Sequence, residues 1–350
     1  MSTAAAPLPW LEAPLVEALR AQRGHALLVH GPQGIGQFEF SVELARAWLC
    51  EAPADRRDRG LACGQCASCH LVAADRLHPD LRVLLPEALH LALGWRAPDD
   101  AVEPEGASST RKPSQWISID QVRAAIAFSL LTRSRAAPKV VVIHPAERMP
   151  QAAASALLKI LEEPTGGQRF VLSCGDAAAL LPTVRSRCHA VRLAPPPRDA
   201  ALAWLEGQGV TDAGVVLDAA GGQPLAALEQ QAQGLDAAFW RRLPDVARSG
   251  DATLLSALPV PLAVEALQKL CHDALLAACG APPRYFPAGS LPGGGDVGRL
   301  TAWAAELRRV SRHAEHPWNA VLMHEALAQQ AARALAANPP GAGTRPARRA

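Results

Sequence analysis

The chain has 350 residues, 49% of them apolar, and a formal net charge of +2. That length holds two or three domains around a sizeable core, and the near-neutral charge argues against a chain that wraps nucleic acid unaided. No apolar run approaches the roughly 18 residues of a membrane span, and the opening Met-Ser-Thr-Ala-Ala-Ala-Pro-Leu-Pro-Trp has no basic region leading into an apolar stretch, so a cytoplasmic protein with no secretory leader and no membrane contact is expected.

In chain order, Ala26 to Val29 is a short apolar run that stops at His30-Gly31-Pro32-Gln33-Gly34-Ile35-Gly36. It reads as a buried strand feeding a glycine-rich turn. Phe38 to Leu49 follows with helical spacing, and strand, glycine loop and helix together open a parallel α/β domain. A further strand ends near Leu85. Residues 88–116, rich in Asp, Glu, Pro and Ser in their middle, read as a surface insertion.

Ser118-Ile119-Asp120-Gln121 has the form of a capping box, after which Val122, Ile126 and Leu130 share one helical face. Lys139 to Ile143 and Arg169 to Ser173 read as buried strands, with a helix from Ala152 to Glu163 between them that Pro164 closes. Ala190 to Leu193 is one more strand, ending at Pro195-Pro196-Pro197. Beyond that linker the pattern is helical: Asp199–Glu206, Val215–Ala219, Pro224–Gln231, then longer helices around 262–278, 299–312 and 317–336. The residues from Asn338 onward are Pro, Gly, Ala and Arg and are expected to be disordered.

Cys50, Cys63, Cys66 and Cys69 crowd into one stretch, the last three separated by two residues each. Four thiolates at this spacing suit a closed tetrahedral zinc site with a structural role, and Gly64 permits the tight turn. His70 and His78 compete for one ligand position and rank behind the sulfurs. Disulfides are disfavoured without a secretory leader, and buried free thiols by the polar surroundings. Cys174, Cys188, Cys271 and Cys279 are expected to be small buried apolar residues.

The glycine loop has the spacing of a phosphate-binding loop, G-x-x-x-x-G-K-[ST], with Gly31 and Gly36 in place. Gln37 and Phe38 stand where the lysine and the magnesium-ligating hydroxyl belong. After the strand Val140–Ile143, where an acid should hold magnesium and another should polarise water, come His144 and Pro145. With positioning and electrostatic stabilisation both lost, no productive ATP binding or hydrolysis by this chain is expected.

Lys139-Val-Val-Val-Ile143, then Ala154-Ser-Ala-Leu-Leu-Lys159-Ile-Leu-Glu162-Glu163-Pro164, then Ser186-Arg187-Cys188 resemble bacterial DNA polymerase III clamp-loader subunits of the AAA+ family. His78-Pro79-Asp80 also fits that family. The motor subunits, gamma and tau, keep an intact phosphate loop and acidic motif; the delta-prime branch has usually lost both, as here. Leu225, in Gly222-Gln-Pro-Leu-Ala-Ala-Leu228, stands where the motor's helical module has an arginine, and Asn319-Ala-Val-Leu322-Met-His-Glu325-Ala-Leu327 also looks like the delta-prime version.

The resemblance implies an AAA+ (RecA-like) α/β domain over residues 1–195, with the zinc module at 50–69. A small helical lid follows at 196–236, then a helical C-terminal collar at 237–336 and a tail at 337–350. It further implies a non-catalytic subunit of the polymerase III holoenzyme, assembled with gamma/tau and delta, that helps place a sliding clamp on primed DNA. Arg187 would be an arginine finger serving a neighbour's ATP, with Ser186 and Cys188 in support. Two rival readings remain: a motor ATPase of the gamma/tau kind, opposed by Gln37, Phe38, His144 and Pro145, and a stand-alone zinc DNA-binding module, weakened by the near-neutral charge.

Overall fold

A computed structural model describes residues 8–21, 24–95, 113–164, 167–291, 295–313 and 318–336. The expected tail at 337–350 and the middle of the expected insertion, 96–112, lie outside the described residues. The chain divides into two compact units, Met1–Pro197 and Arg198–Ala350.

The first unit carries strands β1 (Ala26–His30), β2 (Leu81–Leu84), β3 (Val140–Ile143), β4 (Arg169–Cys174) and β5 (His189–Arg192). They form one sheet in the order β2-β3-β4-β1-β5, and every adjacent pair is parallel. Every residue of β3 is buried, which is why its sequence is continuously apolar and β-branched: a central parallel strand is covered on both faces. β5 pairs only with β1 and is mostly exposed, so its alternating His189-Ala190-Val191-Arg192 suits an edge.

The helices of this unit are α1 (Glu12–Ala21), α2 (Gln37–Leu49), α3 (Ala67–His70), α4 (Glu87–Leu93), α5 (Ile119–Leu130), α6 (Gln151–Glu162) and α7 (Pro182–Arg185). The Ser118 capping box of α5 is reciprocal: the Gln121 amide donates to Ser118 Oγ at 3.1 Å, and the Ser118 amide to Gln121 Oε1 at 2.7 Å. After β1 the chain crosses to β2 at the far edge and returns through β3 and β4 to β1's side. The strand order therefore reverses beside β1, and open α/β sheets bind ligands outside the carboxyl ends of their strands at such a point. This is the AAA+ frame, with the glycine loop leaving β1 at that crevice.

The second unit is helical among its described residues: α8 (Arg198–Gly207), α9 (Ala213–Ala219), α10 (Pro224–Ala232), α11 (Ala237–Ser249), α12 (Thr253–Ser256), α13 (Val260–Ala278), α14 (Val297–Ser311) and α15 (Ala320–Leu335). One apolar cluster gathers Ala201, Leu205, Val216 and Leu217. A larger one centres on Trp240, 1% exposed, with Leu267, Leu307 and Leu327. Trp240 meets the rings of Phe239 and Phe286 edge-on at 5.3 and 5.8 Å, and its indole N–H reaches Leu235 O at 3.0 Å. The carboxylate of Asp273, wholly buried, accepts the amides of Arg284, Tyr285 and Phe286 and anchors the loop after α13.

One expectation is corrected, and one helix was not foreseen. Cys279 is exposed, whereas Cys174 and Cys271 are buried and Cys188 half-buried; position 279 is the C-cap of α13, where the helix has run past its core. The helix α11 has no counterpart in the sequence reading. Pro244 sits buried inside it and reads as a stop, but it removes a single intrahelical donor, and the apolar face around Trp240 carries the helix past it.

Candidate functional site

The glycine loop after β1 is closed by its own residues. Gln37, 4% exposed, turns back so that its Nε2 donates to Gly31 O at 2.6 Å and also to Pro32 O. The side chain at the lysine position is thus spent on the loop's carbonyls. Trp10 closes the loop from outside, donating to Ile35 O at 2.8 Å. At Gly36, with φ of 104°, a Cβ would come within 2.6 Å of Leu8 Cδ1, and at Gly31 within 2.4 Å of Leu193 O. The glycines survive because the chain packs against them at those points.

Phe38, at the hydroxyl position, packs edge-on against Trp95, with centroids 5.7 Å apart, and tilts against His144 at 5.3 Å. Trp95 is 7% exposed and is held by backbone hydrogen bonding to His90. His144 shares a hydrogen bond with Ser173 Oγ at 2.9 Å. Burial, aided by the charge of Arg148, pushes its pKa down to about 4, so the ring is neutral near pH 7. The nearest acid along the chain, Glu147, accepts the Gly175 amide at 2.8 Å and so ties β3's exit to that of β4. Gly31, Gly36, His144 and Pro145 thus stand in the loops that leave β1 and β3, and Gln37 and Phe38 in the first turn of α2. Sequence reading missed Trp95, because a lone tryptophan has no periodic signature.

Arg187 follows α7 and precedes β5. Its Nη1 donates to Thr183 O at 2.8 Å and lies 3.4 Å from Ser186 Oγ, and its Nη2 pairs with Glu162 at the end of α6. The Arg187 side chain is 32% exposed and that of Glu162 47%. Cys188 packs against the sheet's apolar cluster, and burial raises its thiol to about 11, so it stays protonated and acts as a small apolar residue.

The sulfurs of Cys50, Cys63, Cys66 and Cys69 all lie within 4.8 Å of one another. Thiolates bound at about 2.3 Å around a tetrahedral ion lie roughly 3.8 Å apart, and Cys63–Cys69 and Cys66–Cys50 are at 3.9 and 4.0 Å. Backbone amides point at the sulfurs: those of Gln65 and Cys66 reach Cys63 Sγ at 3.4 Å, and that of Cys69 reaches Cys66 Sγ at 3.5 Å. The first two lower Cys63 to about 6, as hydrogen bonding to the charged form does. Burial raises Cys69, a preference that a bound cation would reverse. The donor set fits a metal ion.

His78 is not a fifth candidate ligand. Its Nδ1 accepts the Asp80 amide at 3.0 Å, and its Nε2 meets Ser68 Oγ, beside Cys69, at 2.9 Å. The buried Asp80 carboxylate in turn accepts the amides of Ser134 and Arg135 and pairs with Lys139 Nζ at 3.2 Å. His78-Pro79-Asp80 therefore ties the cysteine module to the segment entering β3.

The sheet order and the glycine loop leaving β1 define an AAA+ frame, in which Gln37 and Phe38 occupy the lysine and hydroxyl positions of that loop. A sequence profile of the family "DNA polymerase III, delta subunit" matches residues 12–197, more than half the chain, and the chain belongs to this family. It is 36% identical over 220 residues to DNA polymerase III subunit delta' of Pseudomonas aeruginosa, covering 62% of this chain and 58% of that one. It is 31% identical over 233 residues to the gamma/tau subunit of Mycobacterium tuberculosis, covering 62% and 35%. The aligned regions thus span little more than half of the delta' relative. A crystal structure of a DNA polymerase III gamma subunit-related protein from Thermotoga maritima aligns with a TM-score of 0.47 at 17% identity, covering 93% of this chain and all of that one. No helix among the described residues is long and apolar enough to cross a membrane.

Proposed function

We propose that this chain is a non-hydrolysing member of a clamp loader: it assembles with gamma/tau and delta, offers Arg187 to the ATP of a neighbouring gamma/tau subunit, and so helps place a sliding clamp on primed DNA. The observation that carries the reading is a pairing of opposites in one unit. Gln37 is bound to the carbonyls of its own loop, while Arg187 stays accessible at the rim beside the edge strand.

The chemistry follows from charge. Phosphoryl transfer spreads negative charge over the γ-phosphate oxygens, and catalysis consists of positioning and neutralising that charge. At this chain's own loop, Gln37 and Phe38 bring no cation and no metal ligand, and His144 is neutral. Arg187 is permanently charged and presents a planar fork of donors that matches phosphate geometry. Thr183 O and Ser186 Oγ steady the guanidinium from its own side, and Cys188 anchors the backbone behind it.

We assign zinc to Cys50, Cys63, Cys66 and Cys69, as a closed structural site with no position for water. The helical stretches 196–236 and 237–336 serve as lid and collar in this reading. The test is reconstitution of gamma/tau and delta with and without this chain, followed by clamp loading onto primed DNA. Loading that depends on the chain supports the proposal, and equal loading without it overturns it.

A further inference from the structure

Glu162 ends α6 with no basic residue beyond Lys159 in the last turn. A carboxylate there faces the negative end of the helix dipole, an unfavourable place for an anion. Its partner is the guanidinium of Arg187, which also donates to Thr183 O at 2.8 Å. In that arrangement Arg187 Nε is buried with no hydrogen-bond partner among the described residues, and a buried donor left unpaired is costly. The docked guanidinium is therefore held by one partly exposed ion pair, one carbonyl and the Ser186 hydroxyl at 3.4 Å, against an unpaired donor that another acceptor could satisfy.

Building on the reading of Arg187 as a residue acting in trans, we infer that Glu162 is a positioning residue: its carboxylate holds the guanidinium on the rim until a neighbour's γ-phosphate displaces it. Carboxylate and phosphate oxygens compete for the same fork of donors. Glu162 keeps Arg187 extended at the rim, and it makes engagement conditional on a phosphate placed well enough to outcompete it. Because both side chains are partly exposed, the hold is weak. A displacement this modest can be driven by closure of a complex on DNA without blocking catalysis.

The test uses the complete complex with Glu162→Gln, which keeps size and exposure and removes the charge. ATP hydrolysis without DNA should rise about two- to fivefold, the range an exposed ion pair supports. The DNA-stimulated rate should stay near wild type, so the stimulation ratio narrows. Glu162→Asp should restore the wild-type ratio, and Glu162→Gln combined with Arg187→Ala should behave as Arg187→Ala alone. A Glu162→Gln complex with an unchanged ratio, or with both rates lowered alike, overturns the inference while leaving the trans role of Arg187 in place. If Arg187→Ala by itself changes nothing, the underlying reading fails and this one falls with it.

Discussion

Arg187→Ala should leave the complex assembled and cut DNA-stimulated ATP hydrolysis at the site it serves by about a thousandfold or more, the usual contribution of an arginine finger. That factor corresponds to roughly 4 kcal/mol of transition-state stabilisation, far above what the residue contributes to its own fold. The pair with Glu162 is partly exposed on both sides, and such pairs are worth about 0–1 kcal/mol. Thermal unfolding of the isolated variant should therefore hardly change. Arg187→Lys keeps the charge but loses the planar fork and should recover only part of the rate. Arg185→Ala, next to the motif, is the control and should hydrolyse at the wild-type rate. Single-turnover hydrolysis by complexes of matched composition reads all three, and an undiminished rate for Arg187→Ala would remove the residue from catalysis.

Cys69→Ser should abolish stoichiometric zinc binding and destabilise the segment from Cys50 to His78 by several kcal/mol. Structural zinc in small fingers contributes about 10–16 kcal/mol of apparent binding free energy, of which an inserted module loses only the part that organises itself. The module's side-chain ties to the rest of its unit are mostly at least partly exposed: ion pairs of Glu51 with Arg135 at 2.5 Å and of Arg59 with Glu12, and hydrogen bonds from Arg57 to Ala47 O at 2.6 Å and from Arg76 to Leu93 O. Local opening and proteolysis within 50–78 are thus expected before the sheet melts. Cys279→Ser, at an exposed position, should keep its metal. Elemental analysis decides: wild-type protein carrying less than about half an equivalent of zinc would remove the four-thiolate site.

The strands could be read from the sequence because each buried parallel strand must be apolar on both faces, and Val140–Ile143 has no other use for four aliphatic residues in a row. The cysteine module was legible because its ligands are close in sequence and their spacing alone restricts the geometry. The Ser118 capping box was legible for the same reason, since both of its hydrogen bonds fall within one turn. What escaped is non-local or non-periodic. Trp95 reaches Phe38 across a long stretch of chain, and Glu162 meets Arg187 only once α6 and α7 are packed. The turn before α1 brings Leu8, Trp10 and Leu11 near the glycine loop, yet nothing in those residues points to a loop that follows a later strand. Gln37 was recognisable as the wrong residue for phosphate; its use as the loop's internal clasp was not, because that depends on the turn's carbonyls converging.

On the proposed reading, the first unit has closed its own nucleotide loop and keeps Arg187 for a neighbour's. Equilibrium binding of ATP with magnesium to the purified, isolated chain tests it most directly. No saturable binding is expected up to millimolar ATP, because Gln37 is bonded to Gly31 and Pro32 and Phe38 is packed against Trp95 and His144. One equivalent of ATP bound with micromolar affinity would contradict it.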